Sequence, residues 1–171
     1  MSGPRSKSFA GRPRRLGLLA CWLAGCLLLA GPLAAEVIPG VEVFLQAYTH
    51  LVRDQRVALM TNQTGRDRRG TPTIDLLQRH PQVNLVGLYS VEHGIRGKAA
   101  AGEHVQDDRD AATGLPVISL YGKNGRKPSQ AMLDSFDVMI YDFQDVGSRA
   151  YTYIWSLAEV MAACGPAGKT V

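Results

Sequence analysis

The sequence predicts an α/β fold in which a parallel sheet is covered on both faces by helices. Three observations lead to this prediction. Short apolar runs typical of buried strands recur along the chain, segments with helical spacing lie between several of them, and loops rich in glycine and polar side chains follow the runs. Strands that alternate with helices favour parallel pairing. The composition, 46% hydrophobic and 20% charged, is that of one globular domain.

Four strands are predicted from runs that are apolar for most of their length, and Val171 is expected to begin another. The second run is nearly all apolar, which is typical of a strand buried on both faces of a sheet. The four runs are residues 56–60, 83–89, 117–120 and 137–141.

Four helices are predicted between and around these strands. Residues 41–52 place apolar side chains at spacings of three and four, as an amphipathic helix that lies on a sheet does. A proline precedes the second and third helices, and Gly165 with Pro166 ends the fourth. In the fourth helix, Ile154 and Trp155 are expected to pack against the sheet. The later three helices are residues 73–79, 129–133 and 151–164.

Residues 1–35 have the layout of a signal peptide. They contain no acidic residue, and they place five basic residues ahead of an apolar stretch that is shorter than the roughly 20 residues of a membrane-spanning helix. The protein is therefore expected to be exported, to the periplasm or the cell exterior, with cleavage after Ala35. A retained anchor, a twin-arginine signal at Arg14 and Arg15, and a lipoprotein acylated at Cys26 are the alternatives.

The charge of the chain without this signal limits its partners. Removing the signal leaves 14 basic and 15 acidic residues, a net charge of −1, so a nucleic-acid partner is not expected. Membrane contact is expected only through the signal peptide or a lipid at Cys26. Cys164 is then the one remaining cysteine, so no internal disulfide forms, and its apolar flanks favour a packing role.

The end of the chain affects the expected domain organisation. Residues 168–171 follow a helix terminator and lead into a predicted strand. We therefore expect a signal peptide at 1–35 and one domain at 36–171 that is incomplete, with an unpaired sheet edge and part of its site missing.

Three polar, glycine-rich loops follow predicted strands, at residues 61–65, 90–97 and 142–149. The carboxyl ends of parallel strands share one edge, where ligands bind, so these loops are expected to meet. The first loop lacks the glycine and lysine patterns of nucleotide sites, and no Gly-x-Ser-x-Gly sequence occurs. Nucleotide binding and serine hydrolysis are therefore disfavoured.

Glu92 is the candidate catalytic acid, because the apolar strand before it delivers its carboxylate from a buried support into the mouth of a cleft. The alternative is a surface carboxylate that caps a backbone amide. His93 suits orienting the acid, binding substrate or ligating a metal. Acidic and histidine residues downstream show no recognised ligand spacing, so neither a metal nor another cofactor is predicted. These residues are Glu103, His104, Asp107, Asp108 and Asp110.

Polar side chains beside aromatic ones indicate a carbohydrate site. Hydroxyls of a sugar bind amide, carboxylate and guanidinium groups, and its apolar face packs on tyrosine or tryptophan. Arg149 or Arg96 suits a substrate carboxylate as a planar two-point partner. The alternative is a cluster of helix caps and salt bridges. The predicted substrate-binding residues are Asn62, Gln63, Arg96, Asp142, Gln144, Asp145, Arg149 and Tyr151.

Taken together, these loops resemble the peptidoglycan exo-β-N-acetylmuramidase family, long catalogued as a domain of unknown function. The similarity runs from about Gly40 to the end of the chain, with several motifs in the same order and spacing. The motifs are residues 61–65, 92–97, 119–122 with 127–128, and 144–149 with 151–153.

The resemblance implies a Rossmann-like amino-terminal domain, a smaller second domain outside this sequence, and a cleft between them. It implies removal of terminal N-acetylmuramic acid from the non-reducing ends of peptidoglycan fragments, with Glu92 as the catalytic acid. Val91 stands where the family motif has proline, which alters the stiffness of the loop but removes no chemical group.

The second catalytic group stays open at this point. A nucleophile, a base for water, or the 2-acetamido group of the substrate itself can complete such a reaction, and Asp142 and Asp145 are the nearest carboxylates in sequence. Two other functions remain as alternatives to the glycosidase. They are a non-catalytic muropeptide-binding module of the cell envelope and a metal-dependent amidohydrolase or deacetylase.

Overall fold

The computed structural model describes residues 36–100, 103, 107–121, 125 and 127–171. The predicted signal peptide at 1–35, the candidate ligand His104 and the motif residue Gly122 lie outside the described residues. The stretch Val37–Val171 forms one compact unit. Of the helices described, none is long and apolar enough to cross a membrane.

The described chain contains α-helices and strands close to the predicted positions. Their boundaries differ from the predicted ones by one or two residues at most ends. The helices are α1 (Gly40–Val43), α2 (Thr73–Arg79), α3 (Gln130–Leu133) and α4 (Tyr153–Cys164). The strands are β1 (Arg56–Thr61), β2 (Asn84–Ser90), β3 (Asp108–Arg109), β4 (Pro116–Ser119) and β5 (Val138–Asp142).

The five strands form one sheet in the order β3-β4-β2-β1-β5. β1 pairs in parallel with both β2 and β5, β2 pairs in parallel with β4, and only β3, among the described strands, is antiparallel. The chain winds outward through β2 and β4 and then returns to add β5 on the other side of β1. This confirms the α/β prediction and places a topological switch point between β1 and β5, as in Rossmann-like folds.

The strands at the two edges of the sheet can be compared with the strands predicted there. At one edge Thr170 makes a parallel bridge with Val138, next to the strand expected to begin at Val171. At the other edge β3 was not predicted, because a strand of two residues is too short to show an alternating pattern.

Alternate residues of β1 enter two different cores, one on each face of the sheet. Val57 and Leu59 pack in a cluster with Ile74 and Leu77 of α2. Ala58 and Met60 pack in the other cluster, with Val160 and Ala163 of α4. Truncation of a fully buried side chain such as Leu59 to alanine costs about 2–5 kcal/mol. Because β1 has buried side chains on both faces, both cores stabilise the sheet.

The predicted helix at residues 41–52 is helical throughout but changes type. After α1, Phe44–Tyr48 is a π-helix and Thr49–Val52 is a 3₁₀-helix. Because each added residue turns a helix by about 100°, a wider turn rotates the later residues away from their α-helical phase. Of the apolar residues whose spacing predicted this helix, Tyr48 and Leu51 are exposed, whereas Val52 is buried.

The phase of α4 also differs from the prediction. Ile154 and Trp155 are about half exposed, so the expectation that they pack against the sheet is wrong. The ring of Tyr153 instead packs on Phe143, with centroids 5.1 Å apart, and lies on the buried face of the helix. The buried residues of α4 are Tyr153, Ser156, Val160, Ala163 and Cys164.

Candidate active site at the carboxyl edge of the sheet

The three polar loops meet at the carboxyl edge of the sheet, as predicted. The backbone N–H of Gln144, after β5, donates to Thr64 Oγ1 at 2.9 Å, after β1. The loop after β2 approaches from the other side, where a Cβ on Gly97 would lie 2.6 Å from Gln63 Cδ. Contacts between loops therefore join the switch point between β1 and β5 to the segment that carries Glu92.

Asn62 is a buried polar residue of the first loop, with 2% of its surface exposed. Its Oδ1 accepts hydrogen bonds from the backbone N–H and the hydroxyl of Thr64, at 2.9 and 2.7 Å. Its Nδ2 has no hydrogen-bond partner in the described part of the chain. Gly65 closes the turn, since a Cβ there would overlap Thr61 Oγ1 and crowd the carbonyl oxygen of Asp142.

Glu92 is half buried just beyond β2, and hydroxyl groups from two distant segments donate to its carboxylate. Tyr121, after β4, donates to Oε1 at 3.4 Å, and Thr152, at the start of α4, donates to Oε2 at 3.1 Å. Val91, which replaces the family's proline, is fully buried in the core and anchors the loop by packing. The carboxylate is thus oriented by side chains, as a catalytic group needs to be.

His93 occupies the left-handed backbone region, with φ of 71°, followed by Gly94 at 73°. Its Nδ1 lies 3.1 Å from the carbonyl oxygen of Ala99. Because a carbonyl only accepts, Nδ1 carries the hydrogen in this bond, and Nε2 is an acceptor when the ring is neutral. An orienting or substrate-binding role for His93 stays a prediction.

Arg96 is held by two carboxylates of its own chain. Its Nε and Nη2 donate to Asp110 in two bonds of 2.8 Å, and Nη2 also donates to Asp75 at 3.0 Å. These bonds raise the pKa of Arg96, and the paired guanidinium holds the pKa of Asp110 below its ordinary value. The geometry thus gives Arg96 a part in fixing the loop after β2, while substrate contact by Arg96 stays untested.

The carboxylates of Asp142, at the end of β5, and Asp145, after it, bond to nearby parts of the chain. Asp142 Oδ2 accepts from Thr73 Oγ1 at 2.5 Å, at the start of α2, and Asp145 Oδ1 accepts from the N–H of Gly147 at 2.6 Å. Asp142 therefore faces the α2 side of the sheet, whereas Glu92 is bonded to the start of α4 on the opposite side. The arrangement does not pair Asp142 with Glu92 as two facing carboxylates.

Arg149 and Tyr151 lie exposed on the segment that leads to Thr152. The guanidinium of Arg149 forms no ion pair with another described residue, while its carbonyl oxygen accepts from Trp155 Nε1 at 3.4 Å. Gln63 Oε1 is buried, and no described residue donates to it. These side chains are available to a ligand in a way that Arg96 is not.

Three aromatic rings form a row under the start of α4. Tyr141 and Phe143 are 4.7 Å apart between centroids, and Phe143 and Tyr153 are 5.1 Å apart. Burial, with a smaller effect of Asp145, raises the pKa of Tyr141 to about 12. Burial also raises the pKa of Tyr153, and the charge of Glu92 adds to this shift.

Four residues of this site were not assigned roles from the sequence: Tyr121, Thr152, Tyr141 and Tyr153. Tyr121, Thr152 and Tyr153 belong to the motifs that suggested the family, so position within a motif was a usable signal. The sequence pattern contains nothing that joins them to Glu92, because those contacts depend on how β4 and α4 are placed.

Two cavities border the site. One of about 660 Å³ lies over the switch point and includes Gln63, Thr64, Asp142 and Gln144 in its lining. Another, of about 520 Å³, lies beneath the loop after β2, and His93 and Arg96 contribute to it. Both volumes are in the range of small-ligand sites. Within the described ranges, no three His, Cys, Asp or Glu side chains are grouped so as to hold a metal ion.

Comparison with known proteins identifies the family. The model of the family described as exo-beta-N-acetylmuramidase NamZ, N-terminal, matches residues 57–171. The chain belongs to this family. The NamZ resemblance expected from the loop motifs is thereby confirmed.

Similar proteins are known from sequence and structure. Peptidoglycan beta-N-acetylmuramidase NamZ of Bacillus subtilis (strain 168) is 40% identical over 128 residues, which are 75% of this chain and 31% of the relative. A DUF1343 family protein of Bacteroides fragilis NCTC 9343 is 43% identical with a TM-score of 0.68, covering 78% of this chain and 33% of that one. A second from the same organism is 35% identical, with a TM-score of 0.64 and coverage of 79% and 33%. This chain thus spans about a third of the length of these relatives.

Proposed function

We propose that the full-length protein is an exo-acting glycosidase that releases terminal N-acetylmuramic acid from peptidoglycan fragments during cell-wall turnover. The observation that carries this proposal is the carboxylate of Glu92, held by Tyr121 and Thr152 at the edge where three polar loops meet. Membership of the NamZ family supports it, as does the name of the B. subtilis relative.

In this reaction Glu92 protonates the oxygen of the leaving group as the glycosidic bond breaks. Attack at the anomeric carbon requires a nucleophile or an activated water, supplied by the 2-acetamido group, by another side chain or by the remainder of the protein. His93, with Nε2 free to accept, is proposed to orient Glu92 or the substrate. The proposed sugar ligands are Asn62, Gln63, Asp142, Gln144, Asp145, Arg149 and Tyr151, with Arg96 holding the loop.

The test is release of N-acetylmuramic acid, or of a chromogenic leaving group from its β-glycoside, by the full-length protein and by Glu92→Gln. This substitution keeps the size and shape of the side chain but replaces one carboxylate oxygen with an NH2 group, which cannot protonate the leaving group. We expect turnover to fall at least about 10²-fold, the contribution of general acid catalysis, with sugar binding retained. Glu159→Gln, on the exposed face of α4, is the matched control and should be active.

Two outcomes would change the proposal. Normal turnover by Glu92→Gln removes Glu92 from the mechanism. Tight sugar binding without release by either protein replaces the glycosidase with the muropeptide-binding module. Restoration of activity by zinc after chelation would instead favour the metal-dependent hydrolase.

We also propose that the protein is exported by residues 1–35. Support comes from the charge and apolar pattern of that segment alone. Mass spectrometry of the protein from expressing cells should find a mature chain that begins at Glu36. A lipid-modified chain that begins at Cys26, and that disappears in Cys26→Ala, would replace export without an anchor by lipid anchoring, and an intact Met1 terminus would contradict both.

A further inference from the structure

Besides Ser90 Oγ, two buried hydrogen-bond donors at this edge of the sheet have no partner in the described part of the chain. They are Asn62 Nδ2 and the hydroxyl of Tyr141, both shielded from solvent. Asn62 is 2% exposed, and its other amide atom is already bonded to Thr64. A buried donor without an acceptor is destabilising, and such groups are uncommon away from functional sites. Each of the two therefore needs an acceptor from outside the described part of the chain.

Both donors lie on the α4 side of the sheet. Tyr141 pairs in register with Met60, whose side chain packs in the core on that side. Asn62 follows Met60 by two residues, so it continues the same face at the end of β1. The pKa of Tyr153 is raised by burial, and the charge of Glu92 adds to that shift. The side-chain amide of Asn62 lies near enough to the Tyr153 hydroxyl to oppose the shift, but the two groups are not in hydrogen-bond geometry. The two unpartnered donors thus border the same row of rings as the catalytic acid.

We propose that Asn62 and Tyr141 form the subsite for the 2-acetamido group of the sugar, with its carbonyl oxygen accepting from Asn62 Nδ2 and the Tyr141 hydroxyl. The methyl of the acetamido group then packs on the rings of Phe143 and Tyr153. This inference rests on the proposed function and names the substituent that the site selects.

Charge favours a neutral acetamido group over the carboxylate of the lactyl substituent at this position. Burial is the main reason that the pKa values of Tyr141 and Tyr153 are raised, but Asp145 adds to the first shift and Glu92 to the second. Asp145, and Glu92 whenever it is ionised, therefore repel an anion brought near these rings. Arg149, exposed and without an ion pair to a described residue, is the cation suited to the lactyl carboxylate.

The test compares Tyr141→Phe with the wild type in the full-length protein. Three β-glycosides with one chromogenic leaving group are used: N-acetylmuramic acid, muramic acid with a free 2-amine, and N-acetylglucosamine. For the variant we expect kcat/KM on the first substrate to fall about tenfold, as for loss of one hydrogen bond, and kcat/KM on the free amine to change little. The preference for N-acetylmuramic acid over N-acetylglucosamine should not change. Asn62→Asp, which keeps the acceptor to Thr64 and loses the donor, should act in the same direction.

Stability separates this role from a structural one. Tyr141→Phe removes a hydroxyl without a described partner, so its unfolding midpoint should equal or exceed that of the wild type. The matched control is Tyr89→Phe, whose hydroxyl donates to the carbonyl of Met132 at 3.1 Å and lies 3.2 Å from Ser135 Oγ. Tyr89→Phe should lower the midpoint and leave substrate preference unchanged.

The outcomes are distinct. A wild-type protein that releases no sugar refutes the proposed function. An active wild type with an unaltered preference for the acetamido group in Tyr141→Phe refutes the subsite alone. A fall in the unfolding midpoint of Tyr141→Phe as large as that of Tyr89→Phe shows that the hydroxyl has a partner in the free protein, such as a buried water, and also refutes the subsite.

Discussion

The hydroxyl of Thr152 donates to Glu92 Oε2 at 3.1 Å, although 60 residues separate the two along the chain. A hydrogen bond to a charged group contributes about 1.5–3 kcal/mol. Thr152→Val replaces the hydroxyl with a methyl of similar size, so we expect kcat to fall by about 10- to 100-fold while the fold is kept. Turnover of the chromogenic substrate and circular dichroism measure the two effects.

The control for this prediction is Thr152→Ser, which keeps the donor and should retain most of the activity. Equal losses in Thr152→Val and Thr152→Ser would show that packing of the methyl group, and not the hydrogen bond to Glu92, supports turnover.

Arg96→Met is expected to destabilise the protein. The Asp110 side chain is 3% exposed, and the substitution leaves its carboxylate buried without its cationic partner. Losing one partner of such a pair costs about 3–5 kcal/mol, and the lower value applies because Arg96 is 24% exposed. The measurement is the free energy of unfolding from urea titration.

Arg79→Met provides the comparison for Arg96. Its side chain is 74% exposed and its Nη2 lies 3.9 Å from Asp75 Oδ2, so its removal should cost no more than about 1 kcal/mol. If the two variants lose equal stability, the buried pair with Asp110 does not hold the loop.

Asp110 also makes stability depend on pH. Hydrogen bonds from Arg96 lower its pKa in the folded state relative to the ordinary 3.8. Its contribution is therefore fully present above the unfolded pKa and is lost as the pH falls through the folded one. The free energy of unfolding should decrease below about pH 4, and less steeply in Asp110→Asn. Parallel curves for the wild type and Asp110→Asn would contradict this.

Gly97→Ala should destabilise the protein by more than the strain of a positive φ alone, because the added Cβ also meets Gln63. Gly97 has φ of 68°, and an added Cβ would lie 2.6 Å from Gln63 Cδ. Gly114 has a similar φ of 72° with open space around it, so Gly114→Ala carries only the backbone strain, about 1 kcal/mol. We expect Gly97→Ala to lower both stability and kcat/KM, and Gly114→Ala to lower stability only. Equal stability losses with unaltered turnover would show that Gln63 moves aside freely.

Local spacing was sufficient to predict most of the secondary structure. Apolar runs and helical periodicity depend only on neighbouring residues, so β1, β2, β4, β5 and α2 were predicted within one residue at nearly every end. The rule that parallel strands share a carboxyl edge then predicted that the loops carrying Asn62, Glu92 and Gln144 would meet. These features are determined by the sequence pattern alone.

The tertiary structure decided which side chains of those loops face each other. Arg96 and Arg149 were equal candidates for a substrate carboxylate until packing placed Asp110 and Asp75 against the first and left the second exposed. The sequence made Asp142 a candidate partner of Glu92. In the structure the alternation of side chains along β5 places Asp142 on the side of Thr73 instead. Periodicity specifies the face on which a residue lies, but contacts between residues far apart depend on strand register and helix phase, which are set only when the two cores pack.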